Sequence, residues 1–229
     1  MTELLLACIA FVGTHFLLSH PLRAPLVGKM GEGAFLGIYS LIALVTLLWM
    51  AYAFYMAPKG APLWNGWSDA LWIISTVLML LASILFVGSH KGNPAAPSPG
   101  KPPESLGRPA DGVFAITRHP MMWSFALWGI AHIMVMPTPA NIVLAASIII
   151  LALGGSYGQD RKKEKLLGEA WAAWEARTSY FPFASQLSGK APWSATLPSR
   201  RLILIGIILW LVATLAHGGI GAGIWRWLL

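Results

Sequence analysis

Ionisable side chains are scarce in this chain: Asp, Glu, Lys and Arg make up only 11% of its 229 residues. A soluble domain carries about 25%, so most of this chain has no water-facing surface to build. Acids are the scarcer sign, nine against 16 bases, for a formal net charge of +7. On the spans read below, all nine fall at helix ends or in loops, which sets them aside as membrane-buried groups. Cysteine occurs once, at Cys8. That excludes an internal disulfide, a thiolate-rich metal site and the C-x-x-C-H attachment of c-type haem. The N-terminus lacks a basic n-region and a small-residue cleavage site, so the first apolar stretch is expected to stay as a helix.

What fills the chain is apolar: 56% hydrophobic residues and a mean hydropathy of +0.64. Crossing a hydrocarbon core of about 30 Å takes about 20 such residues in a helix. Six stretches qualify or nearly so: residues 3–19, 34–57, 70–89, 121–136, 140–157 and 202–217. The fourth is short and works as a span only if Pro120 starts its first turn, where proline is tolerated. Helices are required because lipid offers no partner for unpaired backbone groups. The expected architecture is all-α: one polytopic transmembrane domain over 1–229 with about six membrane helices.

The bases orient it. Loops after spans one, three and five hold 2, 4 and 8 Lys or Arg, leaving only Lys59 and Arg226 elsewhere. The positive-inside rule places those loops in the cytoplasm and both termini outside. The positive charge thus serves topology and membrane lipid, and nucleic acid is excluded as a partner. Trp64, Trp67, Trp72, Trp225 and Trp227 read as an outer aromatic belt. Residues 91–112 are proline-rich and read as an extended cytoplasmic loop. Residues 159–178 read as an amphipathic helix, with Leu166, Leu167, Trp171 and Trp174 on one face and Arg161, Lys162, Lys163 and Lys165 nearby. Such a helix is expected to lie at the membrane interface.

The histidines are the candidates for chemistry. His15 lies inside span one, His132 inside span four and His119 where span four begins; His20 and His90 sit at cytoplasmic boundaries. Two imidazoles on different helices can ligate one iron axially, so His15 and His132 are candidate metal ligands for haem b, with Arg23 and Arg118 placed for its propionates. Depth complicates the pair. At about 1.5 Å per residue, His132 lies about 20 Å along its helix from His119, while His15 is about 6 Å from the cytoplasmic end of span one. Depth alone pairs His15 with His119, and both pairings stay open. Arg118 and His119 also precede Pro120 at a helix N-terminus, where a carboxylate, a phosphate or an anionic cofactor can bind.

Gly-Thr-His15-Phe-Leu-Leu-Ser, then Thr-Arg-His119-Pro-x-x-Trp and Leu-Trp-x-x-Ala-His132, resemble the NnrU family of bacterial membrane proteins over about residues 3–185. The resemblance implies a bacterial inner-membrane protein linked to expression of nitrite and nitric oxide reductases. It also implies kinship with 15-cis-zeta-carotene isomerases, membrane enzymes with a b-type haem. Carried over by motif, their axial ligands correspond to His15 and His132, and a carotenoid or other lipophilic small molecule becomes the candidate substrate. Their pattern has a cysteine three residues before the second ligand, where this chain has Gly129, so a thiolate ligand is excluded.

A more distant similarity runs to isoprenylcysteine and phospholipid methyltransferases. It rests on Arg118-His119-Pro120 and on Gly168, Trp171, Trp174 and Pro182. It implies S-adenosylmethionine as the alternative cofactor, near Arg118, His119 and Asp160. That family's acidic pair falls on Gln159-Asp160 here, and its glycine after Arg-His-Pro is Ser124. A third reading is a non-catalytic accessory protein for the reductases, whose protein partners the sequence does not identify.

Overall fold

The computed structural model describes residues 1–95, 103–217 and 222–228. Their regular structure is helical throughout. The helices are α1 (Thr2–Ser19), α2 (Arg23–Met56), α3 (Asp69–Ser89), the short α4 (Val113–Ile116), α5 (Pro120–Val135), α6 (Pro139–Leu167), α7 (Glu169–Arg177), the short α8 (Ala184–Leu187) and α9 (Arg200–Leu215). Four of them, α1, α2, α3 and α6, are long and apolar enough to cross a membrane. This fits a membrane protein. At 16 residues each, α5 and α9 reach about 24 Å, short of a hydrocarbon core.

Local chemistry sets the helix ends. Ser68, Thr138 and Ser199 each accept a hydrogen bond from the backbone N–H three residues on, at 3.4–3.5 Å, and so cap α3, α6 and α9. Pro120 and Pro139 occupy first turns, where the missing N–H costs nothing. Gly31, at φ 79° inside α2, kinks that helix just before the apolar stretch that begins at residue 34.

Neighbouring helices run α2, α1, α6, α5, α3, α9 across the bundle. Small residues let them approach closely, as membrane helices require in the absence of a hydrophobic drive between them. The Phe16 ring packs over Gly154 and the His20 ring over Gly158, which joins α1 to α6. Gly129 meets Ile149 and the Ala145 carbonyl, and Gly206 meets Ile84.

Two expected segments differ. Residues 159–178 do not form one interfacial helix. α6 continues to Leu167, Gly168 turns the chain at φ 52°, and α7 begins. Trp171 and Trp174 are completely buried against Leu85, Phe114 and Ile116 of the core. The glycine turn swings this aromatic face onto protein, which packs two indoles more closely than fluid headgroups can. Of the proline-rich loop, residues 96–102 lie outside the described residues. Leu106, in a short 3₁₀ turn, is buried in the same core, so that part is anchored. Three of the five tryptophans read as a belt gather around one cation: the Arg226 guanidinium lies 4.9 Å from the Trp72 ring centroid and 5.7 Å from those of Trp67 and Trp227, and it pairs with Asp69 at 3.0 Å.

Candidate functional site

A cavity of about 630 Å³ opens between α1, α2, α5 and α6. Phe11, Leu47, Phe125, Ile148 and Leu151 supply apolar wall, and His15, His20 and His119 all reach it. His15 Nδ1 lies 2.7 Å from the Phe11 carbonyl. A carbonyl only accepts, so Nδ1 carries a hydrogen, which directs the lone pair of a neutral ring to Nε2. Phe11 and Tyr39 hold the ring edge-on, at centroid distances of 4.5 and 5.6 Å.

His119 stands at the start of α5, almost fully buried, with Nε2 2.6 Å from Asp160 Oδ1. Asp160, equally buried on α6, takes Arg118 on its other oxygen through Nε at 2.8 Å and a terminal nitrogen at 2.7 Å. Arg118 also reaches Glu175 of α7 at 3.2 Å. Three helices are thereby tied through one guanidinium, and buried charge is balanced where isolated charge would be costly. Burial, together with nearby Asp160 and Glu164, pushes the Glu175 carboxyl above its ordinary range against the pull of Arg118.

The segment after α7 completes the frame. The Arg118 N–H donates to the Ser179 carbonyl at 2.9 Å. The Tyr180 carbonyl accepts from Thr117 Oγ1 at 2.6 Å and Trp123 Nε1 at 2.8 Å. The Tyr180 hydroxyl donates to the Leu153 carbonyl at 2.6 Å and lies 2.9 Å from Ser156 Oγ. Burial raises that phenol's pKa above its ordinary value.

The candidate residues therefore divide. His15 and His119 share one cavity, the pairing that depth favours. His132 is elsewhere: its ring lies tilted against Trp128 at 4.2 Å and 6.2 Å from the His217 ring, with Nδ1 donating to the Trp128 carbonyl at 2.8 Å. Arg118 is spent on two carboxylates, and Arg23 pairs with Glu32 beneath the Phe35 ring. Among the described residues no three His, Cys, Asp or Glu gather as a metal site. The residues do not fit haem b in its expected form: the cavity presents His15 without His132, and both propionate candidates are already paired. For S-adenosylmethionine, the three residues of the alternative reading, Arg118, His119 and Asp160, are bonded to one another.

Asp160 departs from the expectation that the acids lie at helix ends or in loops. It lies inside a continuous helix, and the only sequence signal for its burial is a lone acid at the junction between an apolar stretch and the basic run 161–163. Glu175 and Tyr180 carried no signal of their own.

The family described as "NnrU protein" matches residues 3–223. The 15-cis-zeta-carotene isomerases of Zea mays and Arabidopsis thaliana are each 32% identical over 79 residues, 34% of this chain. The chain spans only 22% of the length of these curated relatives. No solved structure matches significantly.

Proposed function

The chain belongs to the NnrU family, and from that premise we propose that it is an integral membrane protein that holds a lipophilic small molecule between α1, α2, α5 and α6. One observation carries the reading: a cavity of about 630 Å³, largely apolar, lies against three helices able to span a membrane. Apolar pockets of this size with a few convergent polar groups are the usual form of a small-molecule site. His15, midway along the α1 wall, supplies the Nε2 lone pair to whatever lies beside it. The reaction class carried over from the partial likeness to the isomerases is isomerisation of a lipophile's double bond. We place the protein in the bacterial inner membrane with both termini outside; the short α5 and α9 complete six spans by local thinning of the bilayer around them.

The test uses the full chain in lipid nanodiscs, with the isoprenoid hydrocarbon farnesene as probe. A saturable rise in melting temperature is expected. Ala152→Phe, which fills the cavity wall, should remove it. No saturable rise in the wild type would overturn the reading. So would a Soret band that His15→Ala and His132→Ala each abolish, in favour of bis-histidine haem. Saturable S-adenosylmethionine binding dependent on Arg118 and Asp160 would favour the methyltransferase-like alternative.

A further inference from the structure

The cavity changes character along its length. Phe11 to Ser19 on α1 and Ile148 to Ser156 on α6 are both eight-residue steps, about 12 Å along each helix. At one end the wall is Phe11, Leu47, Phe125 and Ile148; at the other it is Ser19, His20, Asn93, His119, Ser156 and Gln159. The topology produces this contrast, because the end of α1, the loop after α3, the start of α5 and the later turns of α6 meet at one end of the bundle. A hydrocarbon filling the whole space would desolvate that polar row without repaying it.

Resting on the reading that the cavity holds a lipophile, we infer that its ligand is amphipathic: an apolar chain ending in an uncharged hydroxyl head that donates to His119 Nδ1. Asp160 is the positioning residue. Its Oδ1 accepts from His119 Nε2, which is the contact that directs the lone pair of a neutral imidazole to Nδ1. Its Oδ2 is held by two nitrogens of Arg118, so the carboxylate cannot turn and the imidazole is fixed.

Two amides of the same cavity lining are pinned through Ala95. Asn93 Oδ1 accepts from the Ala95 N–H at 2.9 Å, and Gln159 Nε2 donates to the Ala95 carbonyl at 2.6 Å. This leaves Asn93 Nδ2 as a donor. A hydroxyl satisfies both requirements, donating to His119 and accepting from Asn93, whereas an ether or ketone can only accept. The head is uncharged at His119 because the neighbouring cation, Arg118, is shared by Asp160 and Glu175 and offers no surplus charge to a carboxylate or phosphate; Lys162, whose charge acts on His20 of the same row, is what the farnesoic acid comparison tests.

The experiment compares farnesol, farnesyl methyl ether, farnesene and farnesoic acid on the full chain in nanodiscs, taking the midpoint of each rise in melting temperature. Farnesol is expected to saturate at a concentration about tenfold below the ether and the hydrocarbon, the effect of one well-placed hydrogen bond. This wild-type ratio requires no variant to fold. In His119→Ala farnesol should bind no better than farnesene, and Asp160→Asn should bring the ratio below about threefold by freeing the imidazole tautomer. Equal midpoints for the three uncharged probes would overturn the head-group assignment while leaving the lipophile reading intact. Absence of any saturable rise would remove that reading itself. Tighter binding of farnesoic acid, or a tenfold ratio surviving in His119→Ala, would also overturn the inference.

Discussion

His119 and Asp160, 41 positions apart, meet at 2.6 Å with side chains 2% and 6% exposed. The contact ties the start of α5 to α6, and Arg118 on the other carboxylate oxygen makes it rigid. Removing the acid leaves a buried guanidinium with only Glu175 and a buried imidazole with an unpaired donor. Asp160→Ala should therefore cost about 3 kcal/mol, the range for breaking a buried pair. Asp160→Asn, which keeps an acceptor for His119, should cost less. Thermal unfolding in nanodiscs measures both, and equal small losses would contradict the buried network.

Glu175 gives a pH dependence with a definite sign. Its folded-state pKa is raised, chiefly by burial and then by Asp160 and Glu164, against the opposing pull of Arg118. The folded state therefore holds this proton more tightly than the unfolded chain does. Its stabilising effect is full below the ordinary glutamate range and declines as pH rises through the raised value. Glu175→Gln removes that decline. From pH 4 to pH 8 the stability difference between the two proteins should move in favour of the variant. A difference independent of pH would show that Glu175 titrates normally.

The membrane helices were legible because their signal is local. Apolar length and the Pro120 start are read within one turn of each boundary. The fate of Trp171 and Trp174 was not, since an indole face reads alike whether it meets lipid or protein. Only the positive φ at Gly168 sends it inward, and that depends on tertiary contacts. His15 and His119 could be paired by counting residues along two helices. Asp160 was grouped with Arg118 and His119 only through the distant methyltransferase likeness; its burial was not legible, because it depends on those two arriving from 41 or more positions away. Trp171 provides a check. Its side chain is fully buried, and Nε1 has no hydrogen-bond partner among the described residues. Trp171→Phe should therefore cost less than about 1.5 kcal/mol, and Trp171→Ala about 3–5 kcal/mol. Similar losses for both would indicate that the indole N–H is paired.

Gly129 lies where α5 closely approaches α6. A Cβ there would fall 2.7 Å from Ile149 Cγ1 and 3.0 Å from the Ala145 carbonyl oxygen, a backbone atom of α6. Ile149 can shift its rotamer, but the carbonyl moves only with its helix. Gly129→Cys should cost about 1–3 kcal/mol by overpacking the α5–α6 contact. A lowered melting temperature with intact helical circular dichroism is the expected result. An unchanged melting temperature would mean that α5 can stand away from α6.

His15 and His132 should separate in function because they separate in space. Each donates Nδ1–H to the carbonyl four residues back, so replacing either imidazole loses a similar hydrogen bond and a similar aromatic contact. Their melting temperatures should fall by comparable amounts in His15→Phe and His132→Phe. Ligand binding should not change equally. His15 faces the cavity, and a phenyl ring there adds bulk midway between the apolar end and the polar row, so farnesol binding should weaken by tenfold or more. His132 lies against Trp128 and His217, and its replacement should leave the farnesol midpoint within about twofold, as expected for distant, uncoupled sites. Equal losses of binding in both variants would require a ligand that reaches both rings, a much longer site than the cavity beside His15.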